Sequence, residues 1–261
     1  STAQLSTVNI PTARLDCLVL LADLLDQDKA YALSHPETEL TPPQLAQLDE
    51  QLEQRKNHMP LAYIRGKTEF YGRNFAITRD VLEPRPESET IIELLKKLPR
   101  PDTIIDIGTG SGTLAITAKL EIPTAEVIAT DIDPACLAVA RTNATAHNTQ
   151  IQFSQGDLLT ALDAPVPDPT VLLANLPYVP NSHALNEAAM NEPRLAIFGG
   201  EDGLDLYRTL FRQLQSWPTS EITILTESLP YQHQELQKIA QQNGFIQDNE
   251  DDFIQVFTKT I

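Results

Sequence analysis

Four short stretches place polar side chains where apolar runs end, and each suggests a contact that a small ligand needs. The first is Asp106-Ile107-Gly108-Thr109-Gly110-Ser111-Gly112. Glycines there let the backbone turn sharply and approach a ligand, and the helix start that follows favours a negative group. A tight strand-to-helix turn needs glycine for its own sake as well. The dinucleotide pattern G-x-G-x-x-G fails because Thr113 stands at its last position, and no Gly-Lys-Ser/Thr is present for a P-loop. Asp131, nineteen residues beyond Gly112, is the second feature. Its carboxylate can accept from two ribose hydroxyls, or simply cap the helix opening near Pro134. Third, Gly156-Asp157-Leu158 offers Asp157 as acceptor for an adenine amino group and Leu158 as packing for the ring, with an ordinary turn aspartate as the competing reading. Fourth is Asn175-Leu176-Pro177-Tyr178, directly after the apolar VLLA. The Asn175 side-chain oxygen and the Leu176 carbonyl can both accept from a planar NH₂. Tyr178 can stack on that plane, and Pro177 fixes the local backbone.

These features need elements to hold them. Residues 12–32 carry apolar positions at helical spacing, and Thr41-Pro42 opens a second helix to about His58, closed by Pro60. Residues 68–82, β-branched and aromatic around Gly72, read as a hairpin or extended linker. After Pro101 the pattern becomes strand–helix alternation: strands at 103–107, 127–132, 151–157, 171–178 and 221–227, helices from 112 to 120, through 147, from 203 to 214 and from 231 to 243, then a final pair of strands. The loop 163–170 is proline-rich and polar. Alternation of this kind predicts a mostly parallel sheet covered on both faces, with ligands outside the carboxyl ends of its strands.

The chain has 261 residues, 41% of them apolar, and a formal net charge of −17 with 36 Asp+Glu against 19 Lys+Arg. That balance disfavours broad nucleic-acid binding and docking on an anionic membrane. It is unevenly spread: residues 55–100 carry +4 and the remainder −21. Cys17 and Cys136 stand far apart, and the five histidines form no close pair, so neither a disulfide framework nor a metal site is expected. The chain opens with no basic-then-apolar leader, and its longest apolar stretch, 15–25, is broken by Asp16 and Asp23. The expected compartment is a reducing cytoplasm.

The glycine loop, the acid after the second strand and the Asn-Leu-Pro-Tyr tetrad together resemble a class I S-adenosylmethionine-dependent N-methyltransferase. More narrowly, ARLDCLVLLADLL (13–25), PLAYIRGKTEFYGRNFAI (60–77), VLEPRPESET (81–90), DIGTGSGTLAI (106–116) and GGEDGLDLYR (199–208) are similar, in order, to the peptide chain release factor glutamine methyltransferases, the HemK/PrmC family. The resemblance implies a Rossmann-like α/β domain with a mostly parallel seven-stranded sheet at 85–261. It also implies a small helical N-terminal substrate-recognition domain at 1–66 and a β-hairpin linker at 67–84. The implied reaction is methyl transfer to the side-chain amide of the glutamine in a Gly-Gly-Gln motif. Carried over by position, Gly108, Thr109, Gly110, Ser111 and Gly112 would line the cofactor, Asp131 would hold the ribose, and Asp157 with Leu158 would flank the adenine. Asn175, Leu176, Pro177 and Tyr178 would hold the glutamine amide, and Arg85 and Glu87 would lie near the cofactor pocket. The implied partner is a release factor, with no direct nucleic-acid or membrane contact.

Three departures stand out. Leu176 replaces the proline of the family's Asn-Pro-Pro-Tyr, which gives a tetrad more typical of rRNA adenine dimethyltransferases. Leu158 stands where an aromatic is often found. Residues 1–10 form a stub before ARLD, so the helical domain is expected to be about one helix short. The rival readings are an adenine or cytosine N-methyltransferase acting on a flipped base, a glutamine methyltransferase acting on a ribosomal protein, and a noncatalytic binding module. The acid excess outside residues 55–100 is expected to steer a basic protein substrate.

Overall fold

The structure is a computed structural model and describes residues 2–162, 166–218 and 221–259; the first three residues of the expected 163–170 loop lie outside them. Two compact units emerge: Ser1–Lys67 with Leu185–Asn191, and Thr68–Ala184 with Glu192–Ile261.

The first unit contains α1 (Thr2–Ser6), α2 (Ala13–Leu25), α3 (Lys29–Ser34), α4 (Pro42–Lys56) and α5 (Leu61–Arg65). The single helical reading of 12–32 is split in two. Asp26 turns into the left-handed region (φ 51°), and the Asp28 side chain restarts the helix by accepting from the Tyr31 N–H at 2.7 Å. Such caps outcompete helix continuation because they satisfy amides the helix start leaves orphaned. Thr41 does cap α4. Its backbone N–H donates to Gln44 Oε1, while the Gln44 Nε2 donates to the Leu24 carbonyl, which ties α4 to α2. Leu5, Ile10, Cys17, Leu20, Leu48 and Leu52 form this unit's core. Beside it, the Arg55 Nε donates to buried Asp16 at 2.7 Å.

The second unit begins within β1 (Lys67–Phe70), which pairs with β2 (Arg73–Ala76), and continues with α6 (Glu89–Leu95). There follow β3 (Thr103–Ile107), α7 (Thr113–Glu121), β4 (Glu126–Asp131), α8 (Pro134–Ala146), β5 (Gln152–Gln155) and β6 (Thr170–Ala174). The series closes with α9 (Asp205–Gln215), β7 (Ile222–Glu227), α10 (His233–Gln242), β8 (Phe245–Asp251) and β9 (Ile254–Lys259). Seven strands form one sheet in the order β5-β4-β3-β6-β7-β9-β8, parallel except for β9, which is antiparallel to both neighbours. Alternate residues of each strand enter opposite cores. Ile104, Val127, Val171 and Leu173 pack with Ile91, Leu95 and Ile116, whereas Ile105, Ile128, Leu172 and Ile224 pack with Tyr207, Phe211 and Ile239. Both faces are therefore dry, which is why these strands read as continuous apolar runs.

Strand order reverses between β3 and β6, whose register pairs Asp106 with Leu173. At such a switch point two connections leave in opposite directions and open a crevice at the carboxyl ends. The glycine loop and the Asn-Leu-Pro-Tyr tetrad are the two segments that leave there. No described helix is long and apolar enough to cross a membrane.

Candidate active site

The glycine loop is held from below by Asp106. This side chain is almost fully buried, and its Oδ2 accepts from the Thr109 hydroxyl at 2.6 Å and from the Ala115 N–H at 3.1 Å. Burial pushes its carboxyl up to about 6, against the pull of those two donors. The loop itself runs through positive φ at Gly108, Gly110 and Gly112 (71°, 55° and 81°), which only glycine adopts without strain. A Cβ on Gly108 would stand 3.1 Å from the Leu176 side chain, and one on Gly112 3.0 Å from Ala140. The first contact brings the loop against the tetrad; the second lets α7 and α8 approach.

Asp131 ends β4 beside this loop. Its Oδ2 accepts from the Gly110 N–H and its Oδ1 from the Asp133 N–H, both at 2.9 Å. Burial raises its pKa and these amides oppose the rise. The helix-cap reading belongs instead to Asp133, whose side chain accepts from the Ala135 N–H at the start of α8. Asp157 and Leu158 follow β5. Leu158 turns into positive φ (51°) and is buried, while Gly156 is required because a Cβ there would overlap Ala161.

A cavity opens at this edge. Gly108, Thr109, Gly110, Ser111, Asp131, Asp157, Leu158, Asn175, Leu176 and Pro177 line it, joined by Asp80, Ser88, Asp106, Asp133, Cys136, Leu195 and Leu206 among others. Gly112, Tyr178 and Arg85 are not part of its wall. Gly112 acts through helix packing. Tyr178 points its hydroxyl at Glu227, donating to Oε1 at 3.0 Å, and burial followed by the Glu227 charge holds the phenol protonated. Arg85 donates through Nη2 to both oxygens of buried Glu192, at 2.8 and 2.7 Å. That pair anchors the start of the segment whose Pro193, Leu195 and Ala196 cover the cavity.

The electrostatics of the wall discriminate between ligands. Among the described residues, five aspartates line it and no lysine, arginine or histidine does. The comparatively basic 55–100 segment delivers no cation here. A phosphate-rich cofactor would meet only like charge, whereas a cationic sulfonium or ammonium group would meet complementary charge. The residues therefore fit S-adenosylmethionine.

The tetrad is gripped from several sides. The Leu176 N–H donates to the Tyr207 hydroxyl at 3.3 Å, a bond that a proline at this position could not make. The Tyr207 hydroxyl donates toward the carbonyls of Ala174 and Glu227, its oxygen 2.9 and 2.5 Å from theirs, which staples β6 to β7. The Gln232 Nε2 donates to the Tyr178 carbonyl at 2.8 Å. A Cβ on Gly199 would overlap the Pro177 carbonyl and one on Gly203 the Tyr178 carbonyl, so the GGEDG turn lies flat against the tetrad backbone. Finally, the Asn175 Nδ2 donates to the Ser88 hydroxyl at 2.9 Å, and that hydroxyl donates to Glu227 Oε2 at 2.6 Å. Ser88 and Tyr207 lie inside VLEPRPESET and GGEDGLDLYR with no role assigned to them from sequence, and Glu192, Glu227 and Gln232 lie outside every matching stretch. Only Glu227 carried a comparable signal, an acid ending an apolar strand.

Comparison with known proteins adds an independent line. Residues 1–66 match the family model for the PrmC N-terminal domain and residues 86–190 that for the Methyltransferase small domain. The release factor glutamine methyltransferase of Koribacter versatilis is 38% identical over 216 residues, covering 80% of this chain and 77% of that protein. Its counterpart in Coxiella burnetii is 34% identical over 246 residues, covering 93% and 88%. Among solved structures, a Pyrococcus furiosus methyltransferase superposes with a TM-score of 0.53 at 17% identity, covering 85% of this chain and all of that one. The T. thermophilus 16S rRNA N2 G1207 methyltransferase, solved with AdoMet and guanosine, gives 0.52 at 14%, covering 75% and 50%. These two likenesses establish the class I methyltransferase fold.

Proposed function

Because the chain belongs to the release factor glutamine methyltransferase family, we propose that it methylates the side-chain amide nitrogen of the glutamine in the Gly-Gly-Gln motif of a peptide chain release factor, in the cytoplasm. The observation that carries the site assignment is the orientation of Asn175. Its Nδ2 is engaged by Ser88, so Oδ1 is the amide atom left to accept from a substrate NH₂ at the cavity wall.

S-adenosylmethionine supplies a methyl group already activated on a sulfonium. The chain's task is to align the nucleophile and compensate its charge. An amide nitrogen is a poor nucleophile because its lone pair is delocalised into the carbonyl. Asn175 Oδ1 and the Leu176 carbonyl, accepting one N–H each, hold the nitrogen in place and stabilise the positive charge that develops on it. Positioning of this kind is worth up to roughly 7–11 kcal/mol in well-oriented systems. No strong general base is needed, since the amide proton becomes acidic as the bond forms. The Leu176 carbonyl keeps its direction without the proline ring because Tyr207 and the buried Leu176 side chain hold it from both ends.

The glycine loop, Asp131, Asp157 and Leu158 form the cofactor side of this assignment. Arg85 supports that side through Glu192, and Tyr178 braces the tetrad through Glu227. Residues 1–66 would grip the release factor, with 67–84 as linker and 85–261 as the catalytic domain. In the test, Asn175→Ala lowers kcat by about 10²–10³-fold with S-adenosylmethionine affinity changed less than threefold. Near-normal turnover would reject the assignment.

A further inference from the structure

The mechanism uses Asn175 as an acceptor, but an amide can present either its oxygen or its NH₂, and the two ends have almost the same shape. Something must select between them. Asn175 follows the last paired residue of β6, and the adjoining register couple is Ala174 with Thr226, so Glu227 lies directly across on β7. The Glu227 carboxylate is 1% exposed, and both its oxygens receive hydroxyl protons, Oε2 from Ser88 and Oε1 from Tyr178.

We propose that Glu227 and Ser88 are positioning residues that fix the polarity of the Asn175 amide, and so direct its oxygen, not its NH₂, toward the substrate nitrogen. This rests on the functional reading above. Burial raises the Glu227 carboxyl above its ordinary value while the Ser88 and Tyr178 hydroxyls oppose the rise, and in its ionised form it can only accept. Ser88 has a single proton, and at 2.6 Å that proton is committed to Glu227. Its oxygen therefore faces Asn175 with lone pairs alone and must be met by a donor, the Nδ2 at 2.9 Å. In the flipped arrangement the Ser88 proton would face two acceptors, so one buried acceptor would go without a partner. The flipped Asn175 would also confront the glutamine NH₂ with N–H against N–H. Each link of Glu227–Ser88–Asn175 thus sets the sense of the next, and the chain ends on the reacting nitrogen. Ser88 sits at the end of a 3₁₀ turn begun by Pro86, which brings the PRPE segment into the site without a charged contact to the cavity.

Steady-state methylation of a full-length release factor by wild type, Ser88→Ala and Ser88→Thr tests this, alongside S-adenosylmethionine Kd and thermal midpoint for each protein. The expected result is kcat lowered about 10- to 100-fold in Ser88→Ala, the scale of losing the bond that orients one site dipole. Kd stays close to wild type, the midpoint falls because two buried hydrogen bonds are lost, and Ser88→Thr, which restores the hydroxyl, recovers both the midpoint and kcat, the latter to within about threefold. A Ser88→Ala protein with wild-type kcat overturns the inference, as does a loss of kcat that Ser88→Thr fails to recover. Failure of wild type itself to methylate the release factor overturns the underlying reading instead.

Discussion

At the scale of single residues, the site is defined by which polar atoms are already committed and which remain for a ligand. The Asp106 Oδ2 is committed to Thr109 and Ala115, yet the charge of this side chain works against the fold it supports. Its carboxyl is raised from 3.8 to about 6, chiefly by burial, with Asp131 adding repulsion. Between those values the folded chain binds more protons than the unfolded one, so stability falls as pH rises through that window. Asp106→Asn keeps an acceptor for Thr109 and Ala115 but removes the titration. Relative to that variant, wild type should lose roughly 1–2 kcal/mol between pH 5 and pH 7, measured by urea unfolding; parallel curves would contradict the assignment. Asn175, Asp131, Gly108 and Gly110, which line the cavity, were readable as candidates because each stands at a strand exit and breaks an apolar run. Ser88 and Glu192 were not, since a serine after Pro-Glu and a glutamate in an irregular loop look like surface residues until distant partners 139 and 107 positions away bury them.

Elements position these residues through a few cross-links. The Arg85–Glu192 pair ties the PRPE segment to the stretch covering the cavity. Glu192 has 3% side-chain exposure and Arg85 37%, so the acid depends on the pair more than the base does. Removing Arg85 leaves a buried carboxylate without compensation, which is costlier than removing both charges. Arg85→Met should therefore weaken S-adenosylmethionine binding about tenfold, and adding Glu192→Gln should recover part of that loss. Isothermal titration checks both, and strictly additive effects would show that the two act independently. The sheet itself was legible. Strand periodicity located β3, β4, β6 and β7 within a residue or so at their starts, and of the two readings of residues 68–82, hairpin or extended linker, the paired strands on either side of Gly72 give the hairpin. The tetrad, read together with its strand, separates from it at Ala174 because Tyr207 and the GGEDG turn hold it instead. The break between α2 and α3 was obscured because apolar spacing persists through a turn built by Asp26 and Asp28.

For the whole molecule, the net charge of −17 gains meaning from where the cations are. Arg55, Arg65, Lys67, Arg73 and Arg85 each pair with a carboxylate outside the basic 55–100 segment (Asp16, Asp23, Glu121 or Glu192), so half of that segment's cations are compensated from elsewhere, while the chain as a whole keeps its acid excess. Steering of a basic release factor by that excess would make kcat/KM fall about tenfold between 50 and 300 mM NaCl, with kcat little changed; a salt-independent kcat/KM would remove the steering role and leave the site intact. Composition alone could not reveal this, because pairing depends on the fold. The most direct test of the account offers tritiated S-adenosylmethionine and enzyme to a release factor, a ribosomal protein and RNA in parallel, with wild type and Asn175→Ala side by side. The account predicts wild-type label on the Gly-Gly-Gln glutamine of the release factor, with little label from Asn175→Ala. Label in RNA or the ribosomal protein alone, or equal labelling by the variant, would contradict it.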